Sequence, residues 1–196
     1  AAVEAANAAV IEAALNGLGK PGMGCTATCA YIENDTLAIA HVGDSRAYLL
    51  HEGTLIRVTR DHSYVEELVD AGEITADEAR VHPNRSVITR ALGSDPAMYA
   101  DHFTLHIEEG DRLILCSDGL SSMIPDSDIE NIATQSSTAQ ICVDNLVDAA
   151  LAAGGHDNVT VVVVDLVDDG VMREAQRVRR RNITLSLIHI SEPTRH

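Results

Sequence analysis

Three segments of this sequence share one pattern, in which an apolar run that predicts a β-strand lies close to an aspartate with glycine within two residues. The segments are L-A-I-A-H-V-G-D, which ends at Asp44, L-I-L-C-S-D-G around Asp118, and G-G-H-D-N-V-T around Asp157. Strand ends are rigid supports, and glycine lets backbone and ions approach closely. Carboxylates that converge in an acidic chain repel one another unless cations bind between them. The pattern therefore favours a site for Mg²⁺ or Mn²⁺, the ions that oxygen ligands select.

Each of these aspartates also has a simpler interpretation. A single Asp-Gly pair is usually a turn, so only the repeated context argues for a site. The remaining strand-end and loop aspartates, Asp61, Asp95, Asp101 and Asp111, are predicted to be turn or surface acids.

Charge excludes one class of function. The 196 residues carry a formal charge of −16. A body this acidic repels phosphate backbones, so we predict no nucleic-acid partner. Phosphate chemistry stays open where bound metal ions supply the positive charge.

The pattern of apolar residues predicts an α+β fold with helices grouped between strands. Helices are predicted at 1–16, 63–71, 76–81, 125–133 and 137–152. Strands are predicted at 26–32, 36–42, 46–51, 54–59, 98–106, 112–116 and 159–167. On the last helix, Ile141, Leu146, Val147 and Leu151 are expected to face the core. No apolar run approaches the length of a transmembrane helix.

The four cysteines form no C-x-x-C pair, so a zinc site is not predicted. We expect all four to be buried small hydrophobic residues. No G-x-S-x-G, Walker A or H-E-x-x-H motif is present, which argues against a serine hydrolase, a P-loop protein and a zinc protease. The sequence also lacks the D-x-D-x-T/V motif of haloacid-dehalogenase-type phosphatases.

Six separated motifs, in order, resemble the metal-dependent serine/threonine protein phosphatases, the PPM or type 2C class, in their compact bacterial form. They are M-G-C-T-A-T at 23–28, H-V-G-D-S-R-A-Y-L-L at 41–50, R-D-H-S at 60–63, H-P-N-R-S-V-I-T-R-A-L-G at 82–93, G-D-R-L-I-L-C-S-D-G-L at 110–120 and G-G-H-D-N-V-T at 154–160. The resemblance covers residues 1–168.

The resemblance implies a four-layer α-β-β-α sandwich with two or three Mg²⁺ or Mn²⁺ ions at one end, and a flap subdomain over 62–92. Asp118 and Asp157 match the metal ligands, and Asp44 matches a ligand of a third ion. Metal-bound water would be the nucleophile, so no side chain is expected to act as one. The supporting residues would be Gly43, Ser45, Ser117, Gly119 and Asn158, with Arg85, Ser86 and Arg90 in the flap.

The implied function is hydrolysis of phosphoserine and phosphothreonine in proteins, on substrates of a cognate kinase. The expected state is a cytoplasmic monomer, whose parent could carry a membrane anchor beyond the arginine-rich segment. Residues 169–196 are predicted to be a basic linker followed by a disordered or non-native tail.

One departure from the family pattern bears on activity. The family's R-x-x-N-E-D and D-G-M-G-G motifs are not in this sequence. We therefore expect an N-terminally truncated domain with unpaired strand edges and negligible activity by itself. The alternatives are a pseudophosphatase or binding module on the same fold, and a regulator that dephosphorylates an anti-sigma-type antagonist. The well-matched flap motif argues against the regulator.

Overall fold

A computed structural model describes residues 2–167. Its helices are α1 (Ala2–Leu15), α2 (Tyr64–Asp70), α3 (Ala76–Val81), α4 (Asp118–Ser121), α5 (Asp126–Gln135) and α6 (Ala139–Ala152). Its strands are β1 (Ala27–Glu33), β2 (Thr36–Val42), β3 (Arg46–His51), β4 (Thr54–Arg57), β5 (Asp101–His106), β6 (Arg112–Cys116) and β7 (Val161–Asp165). The predicted linker and tail, 169–196, lie outside the described residues.

The described residues form two compact units, one of 2–45 with 59–105 and the other of 46–58 with 106–167. The first contains a three-stranded sheet in the order β1-β2-β5. Its β1–β2 hairpin is antiparallel and turns at Asn34, whose φ of +53° is tolerated by asparagine in a tight turn. A small apolar core of this unit contains Val3, Val42, Leu92, Met98 and Ala100.

A buried asparagine anchors α1 within the first unit. The Asn7 side chain donates to the carbonyl of Asp95 at 2.8 Å and accepts from the N–H of Gly93 at 2.7 Å. Both ends of the amide are therefore satisfied, which removes the cost of burying it. The helix is confirmed, although its last apolar residue, Leu15, is exposed.

Two short helices occupy the predicted insertion. The Ser63 side chain accepts from the N–H of Glu66 and begins α2. Before α3, Thr75 and Glu78 form the predicted capping box, with each side chain accepting from the other residue's backbone. A bridge between Ser63 and Ile88 closes the base of this segment.

The second unit is a four-stranded sheet in the order β4-β3-β6-β7, with antiparallel pairs throughout. Helices α5 and α6 bury their apolar faces in the core that this sheet helps to form. The fully buried members of that core include Tyr48, Ile114, Leu120, Ile129, Val143 and Leu146. No described helix is both long and apolar enough to cross a membrane.

Two expectations about burial are wrong. On α6, Ile141 and Leu151 are largely exposed, because the buried stripe runs through 142, 143, 146, 147 and 150 and leaves both at its margins. Of the cysteines, Cys116 and Cys142 are buried, but Cys25 and Cys29 are exposed. Cys29 belongs to the outward-facing set of alternating positions on β1.

A buried arginine joins the sheet of the second unit to its helices. Arg112 on β6 makes two charge-assisted hydrogen bonds with the Asp165 carboxylate on β7. Its Nη1 donates to the carbonyls of Ala133 at 2.6 Å and Ser136 at 2.9 Å, where α5 ends. The guanidinium thus satisfies four acceptors that would otherwise lose their partners.

We predict that Arg112→Met lowers the free energy of unfolding by about 2–4 kcal/mol, because it leaves a carboxylate and two carbonyls without donors. Urea denaturation measures this. The control is Arg85→Met at an exposed arginine, with an expected change of less than about 0.5 kcal/mol. A loss at Arg112 no larger than at Arg85 would contradict the account.

Asp111 is not the surface acid that the sequence suggested. It is buried, and its carboxylate accepts from the N–H of Glu108 at 2.8 Å and contacts Nδ1 of His51 at 2.7 Å. The hydrogen bond with Asp111, and then its negative charge, raise the pKa of His51 above its ordinary value. Because the pKa of His51 is higher in the folded state than in the unfolded state, the interaction stabilises the protein. This stabilisation is fully present below the unfolded-state pKa of about 6.5 and is lost as pH rises through the folded-state pKa.

We therefore predict that wild type loses more stability than His51→Gln as pH rises from about 6 to 9, since only the wild type releases this proton. Urea unfolding of both proteins across that range measures the difference. NMR titration of the His51 ring should give a pKa above that of an unstructured histidine. Parallel stability curves for the two proteins would contradict the assignment.

Candidate metal centre

Asp118 lies where a central strand passes directly into a helix. Strand β6 ends at Cys116, Ser117 is the N-cap residue, and Asp118 is the first residue of α4. This four-residue helix was not predicted from the sequence, where the segment read only as the end of a strand. Residues 117–119 are called the Asp118 loop below.

The Asp118 loop lies directly against a second loop, 154–160, called the Asp157 loop. The Ser117 hydroxyl donates to the carbonyl of Asn158 at 3.2 Å and accepts from the N–H of Thr160 at 3.1 Å. The Ser117 N–H donates to the Thr160 carbonyl at 3.0 Å. Three hydrogen bonds therefore hold the two loops in one relative position.

Gly119 makes this approach sterically possible. A Cβ built at Gly119 would lie 2.3 Å from the Asn158 carbonyl oxygen, a distance that no side chain can tolerate. The residues expected to support the site, Ser117, Gly119 and Asn158, are thus the residues that join the loops. As a result, Asp118 and Asp157 each stand next to the junction.

Asp157 and Asp118 differ in exposure. Asp157 is exposed, and its Oδ1 accepts from the N–H of the next residue, Asn158, at 2.7 Å. Asp118 is half-buried. Both side chains carry carboxylate oxygens, the donors that a hard divalent cation such as Mg²⁺ or Mn²⁺ prefers.

Asp44 belongs to the first unit, in a turn of residues 43–45 called the Asp44 turn. Gly43 has φ +108°, and a Cβ there would lie 2.3 Å from the Thr26 side chain. The Ser45 hydroxyl is 2.8 Å from that of Thr26, and the Thr28 hydroxyl donates to the Ser45 carbonyl at 2.9 Å. The turn is packed tightly against β1, and Asp44 is 9% exposed.

A pair of histidines lies beside the Asp44 turn, with ring centroids 4.9 Å apart. His41 is fully buried, and its Nε2–H donates to the Arg60 carbonyl at 3.0 Å. Its Nδ1 is 2.9 Å from the Thr28 hydroxyl. Burial lowers the pKa of His41, and the neighbouring His62 lowers it further.

The second histidine connects to a carboxylate that the sequence analysis had placed among surface acids. His62 Nε2 is 3.0 Å from Asp101 Oδ2, and Arg90 Nη1 donates to Asp101 Oδ1 at 2.7 Å. Burial alone would raise the pKa of Asp101, but the hydrogen bonds from His62 and Arg90 outweigh it and lower the pKa. No sequence signal identified this network, because its members are far apart in the chain.

The three flap residues have different environments. Arg85 and Ser86 are exposed in the turns between α3 and the bridge at Ile88. Arg90 is engaged within its own unit, where its guanidinium pairs with Asp101 and lies 4.2 Å over the Tyr99 ring. Of the three, Arg85 and Ser86 are exposed, and Arg90 is half-buried.

In residues 2–167, no three His, Cys, Asp or Glu side chains are grouped closely enough to form a complete metal-binding set. The second unit contributes Asp118 and Asp157 from its joined loops, and Asp44 stands in the first unit. The described residues therefore contain carboxylates of the type that binds a divalent cation, but they do not form a complete set of metal ligands.

The family model for protein phosphatase 2C matches residues 10–159, which include all three aspartates. This chain belongs to the protein phosphatase 2C family. It is 40% identical over 144 residues to the serine/threonine phosphatase stp of Listeria welshimeri, covering 74% of this chain and 57% of that protein. It is 43% identical over 171 residues to the serine/threonine protein phosphatase PstP of Mycobacterium tuberculosis, covering 86% of this chain and 32% of that protein.

Solved structures agree with this assignment. The phosphatase PstP/Ppp of Mycobacterium tuberculosis superposes with a TM-score of 0.78 at 40% identity, covering 83% of this chain and 68% of that one. The catalytic domain of PstP in complex with two manganese ions gives a TM-score of 0.77 at 38% identity, with 85% and 69% covered. The predicted phosphatase fold of the α+β class is confirmed, and the chain spans 57% or less of these two curated relatives.

We predict that Gly119→Ala lowers the free energy of unfolding by about 1–3 kcal/mol and perturbs the amide resonances of 117–119 and 157–160, because the loops must separate to admit the methyl group. Thermal unfolding and NMR spectra measure the two effects. The control is Gly110→Ala, where a Cβ meets no atom within 4 Å but φ is +93°, so only backbone strain is added. Unchanged resonances around Asp157 in Gly119→Ala would contradict the proposed contact.

Proposed function

We propose that this chain carries part of the metal centre of a serine/threonine protein phosphatase. The observation that carries the proposal is the junction of the Asp118 and Asp157 loops, which holds the two segments that contain these aspartates together at the paired ends of β6 and β7. Family membership and the two manganese ions in the PstP catalytic domain support it. The proposed substrates are proteins phosphorylated on serine or threonine by a partner kinase.

In this proposal Asp118 and Asp157 hold Mn²⁺ or Mg²⁺, and Asp44 holds a further ion. When bound, such an ion lowers the pKa of a coordinated water and neutralises charge on the phosphoryl group. Ser117 and Gly119 hold the backbone that carries Asp118 against the Asp157 loop. Gly43 and Ser45 hold Asp44 in its turn, and Arg85 and Ser86 are exposed flap residues suited to contact a phosphoprotein.

A second candidate is a binding module that retains the fold without turnover. Two observations favour it for this chain alone: the absence of a complete ligand group in the described residues, and the absence of the D-G-M-G-G motif from the sequence. We therefore propose that catalysis requires the N-terminal segment that the family carries.

The test compares this chain with a version extended by the segment that precedes the matched residues in the Mycobacterium tuberculosis relative. Mn²⁺ binding is measured by calorimetry, and hydrolysis is measured on a phosphothreonine peptide. We expect tight binding and turnover in the extended version and negligible turnover in the chain alone. An extended version that folds but neither binds Mn²⁺ nor hydrolyses the peptide would favour the binding module.

In the extended version, Asp118→Asn and Asp157→Asn should each lower Mn²⁺-dependent hydrolysis by at least about 100-fold, since each removes a ligand charge. The matched control is Asp148→Asn, an exposed acid on α6. Its activity should stay within about twofold of wild type. If all three substitutions lowered hydrolysis equally, the cause would be the general loss of negative charge and not the loss of a metal ligand.

A further inference from the structure

His62 makes an unusual set of contacts with a single residue of the Asp44 turn. Its backbone N–H donates to the Gly43 carbonyl at 2.8 Å, and its ring Nδ1 accepts from the Gly43 N–H at 3.0 Å. One residue thus satisfies both backbone polar groups of Gly43. His62 is 8% exposed, so water is a poor substitute for either bond.

The contacts define the tautomer of the His62 ring. A backbone N–H only donates, so Nδ1 must be unprotonated, and the ring proton lies on Nε2. Nε2–H then donates to Asp101 Oδ2 at 3.0 Å. Arg90 holds the other oxygen of Asp101, and both contacts favour the ionised carboxylate that accepts this proton. Asp101 and Arg90 therefore select the tautomer that can bind Gly43.

The Asp44 turn needs such external support. Gly43 has a left-handed backbone, and its neighbours leave no room for a side chain that could lock it. On its other side, the His62 carbonyl accepts from the N–H of Thr89 at 2.9 Å. His62 is thereby held between two backbone segments, and its position determines that of Gly43.

We infer that His62 is a positioning residue for Asp44: it holds the Asp44 turn in the conformation that presents the carboxylate to a metal ion. The inference rests on the proposed function in one respect, the role of Asp44 as a ligand. The arrangement of ring, turn and Asp101 stands on the geometry alone.

Two variants separate the contacts of the ring. In His62→Asn, the amide oxygen occupies the place of Nδ1 and keeps an acceptor for Gly43, but the contact with Asp101 is lost. In His62→Gln, the amide nitrogen reaches the place of Nε2 and keeps the donor to Asp101, but the acceptor for Gly43 is lost. The control is His102→Gln, at an exposed histidine one residue from Asp101.

The first measurement uses this chain without metal. Long-range ¹H–¹⁵N spectra should show His62 with its proton on Nε2. Amide exchange at Gly43 should become about tenfold faster in His62→Gln, with a smaller change in His62→Asn and none in His102→Gln. A proton on Nδ1, or faster exchange in the asparagine variant than in the glutamine variant, would overturn the inference.

The second measurement uses the extended version. His62→Gln should raise the Mn²⁺ concentration for half-maximal hydrolysis about tenfold, while kcat at saturating Mn²⁺ falls much less. His62→Asn should give a smaller rise. A fall in kcat with no change in Mn²⁺ dependence would overturn the positioning role. An inactive wild-type extended version would show that the proposed function has failed, and the exchange experiment would still decide the arrangement of His62.

Discussion

The contact between residues 117–119 and 158–160 is the constraint on which the candidate site depends. It combines three hydrogen bonds through Ser117 with a backbone approach that excludes any side chain at Gly119. Because β6 and β7 are neighbours in the sheet, the loops at their ends already lie close together. The contact holds the two loops in one relative position, so the backbone that carries Asp118 and Asp157 is ordered by the fold itself.

The backbone that carries Asp44 is also held in place by contacts with neighbouring residues, but these residues differ from those at the Asp118 loop. Here too a glycine lies so close to a neighbour that a Cβ would collide, and the hydroxyl groups of Thr26 and Thr28 bind the turn through Ser45. The additional element is His62, which satisfies both polar groups of Gly43. In both places the contacts fix the backbone on which the aspartate stands.

Sequence patterns predicted the parts of the fold that depend on local periodicity. Strands β2, β3 and β6 have the predicted bounds, and the capping box at Thr75 forms as expected, since both signals lie within a few residues. Helix α4 was missed because a segment of four residues with one buried leucine, Leu120, is too short to show a helical period. Asp101 was misjudged because its partners, His62 and Arg90, are 39 and 11 residues away, and only folding brings them together.

The most direct test of the account is a crystal structure of the extended version with Mn²⁺, using anomalous scattering to locate the ions. We predict anomalous peaks within coordination distance of the Asp118 and Asp157 carboxylates, with the Ser117 hydroxyl still bonded to the Asp157 loop. Peaks confined to other acidic side chains, with Asp118 and Asp157 making no metal contact, would contradict the claim that the joined loops form the metal centre.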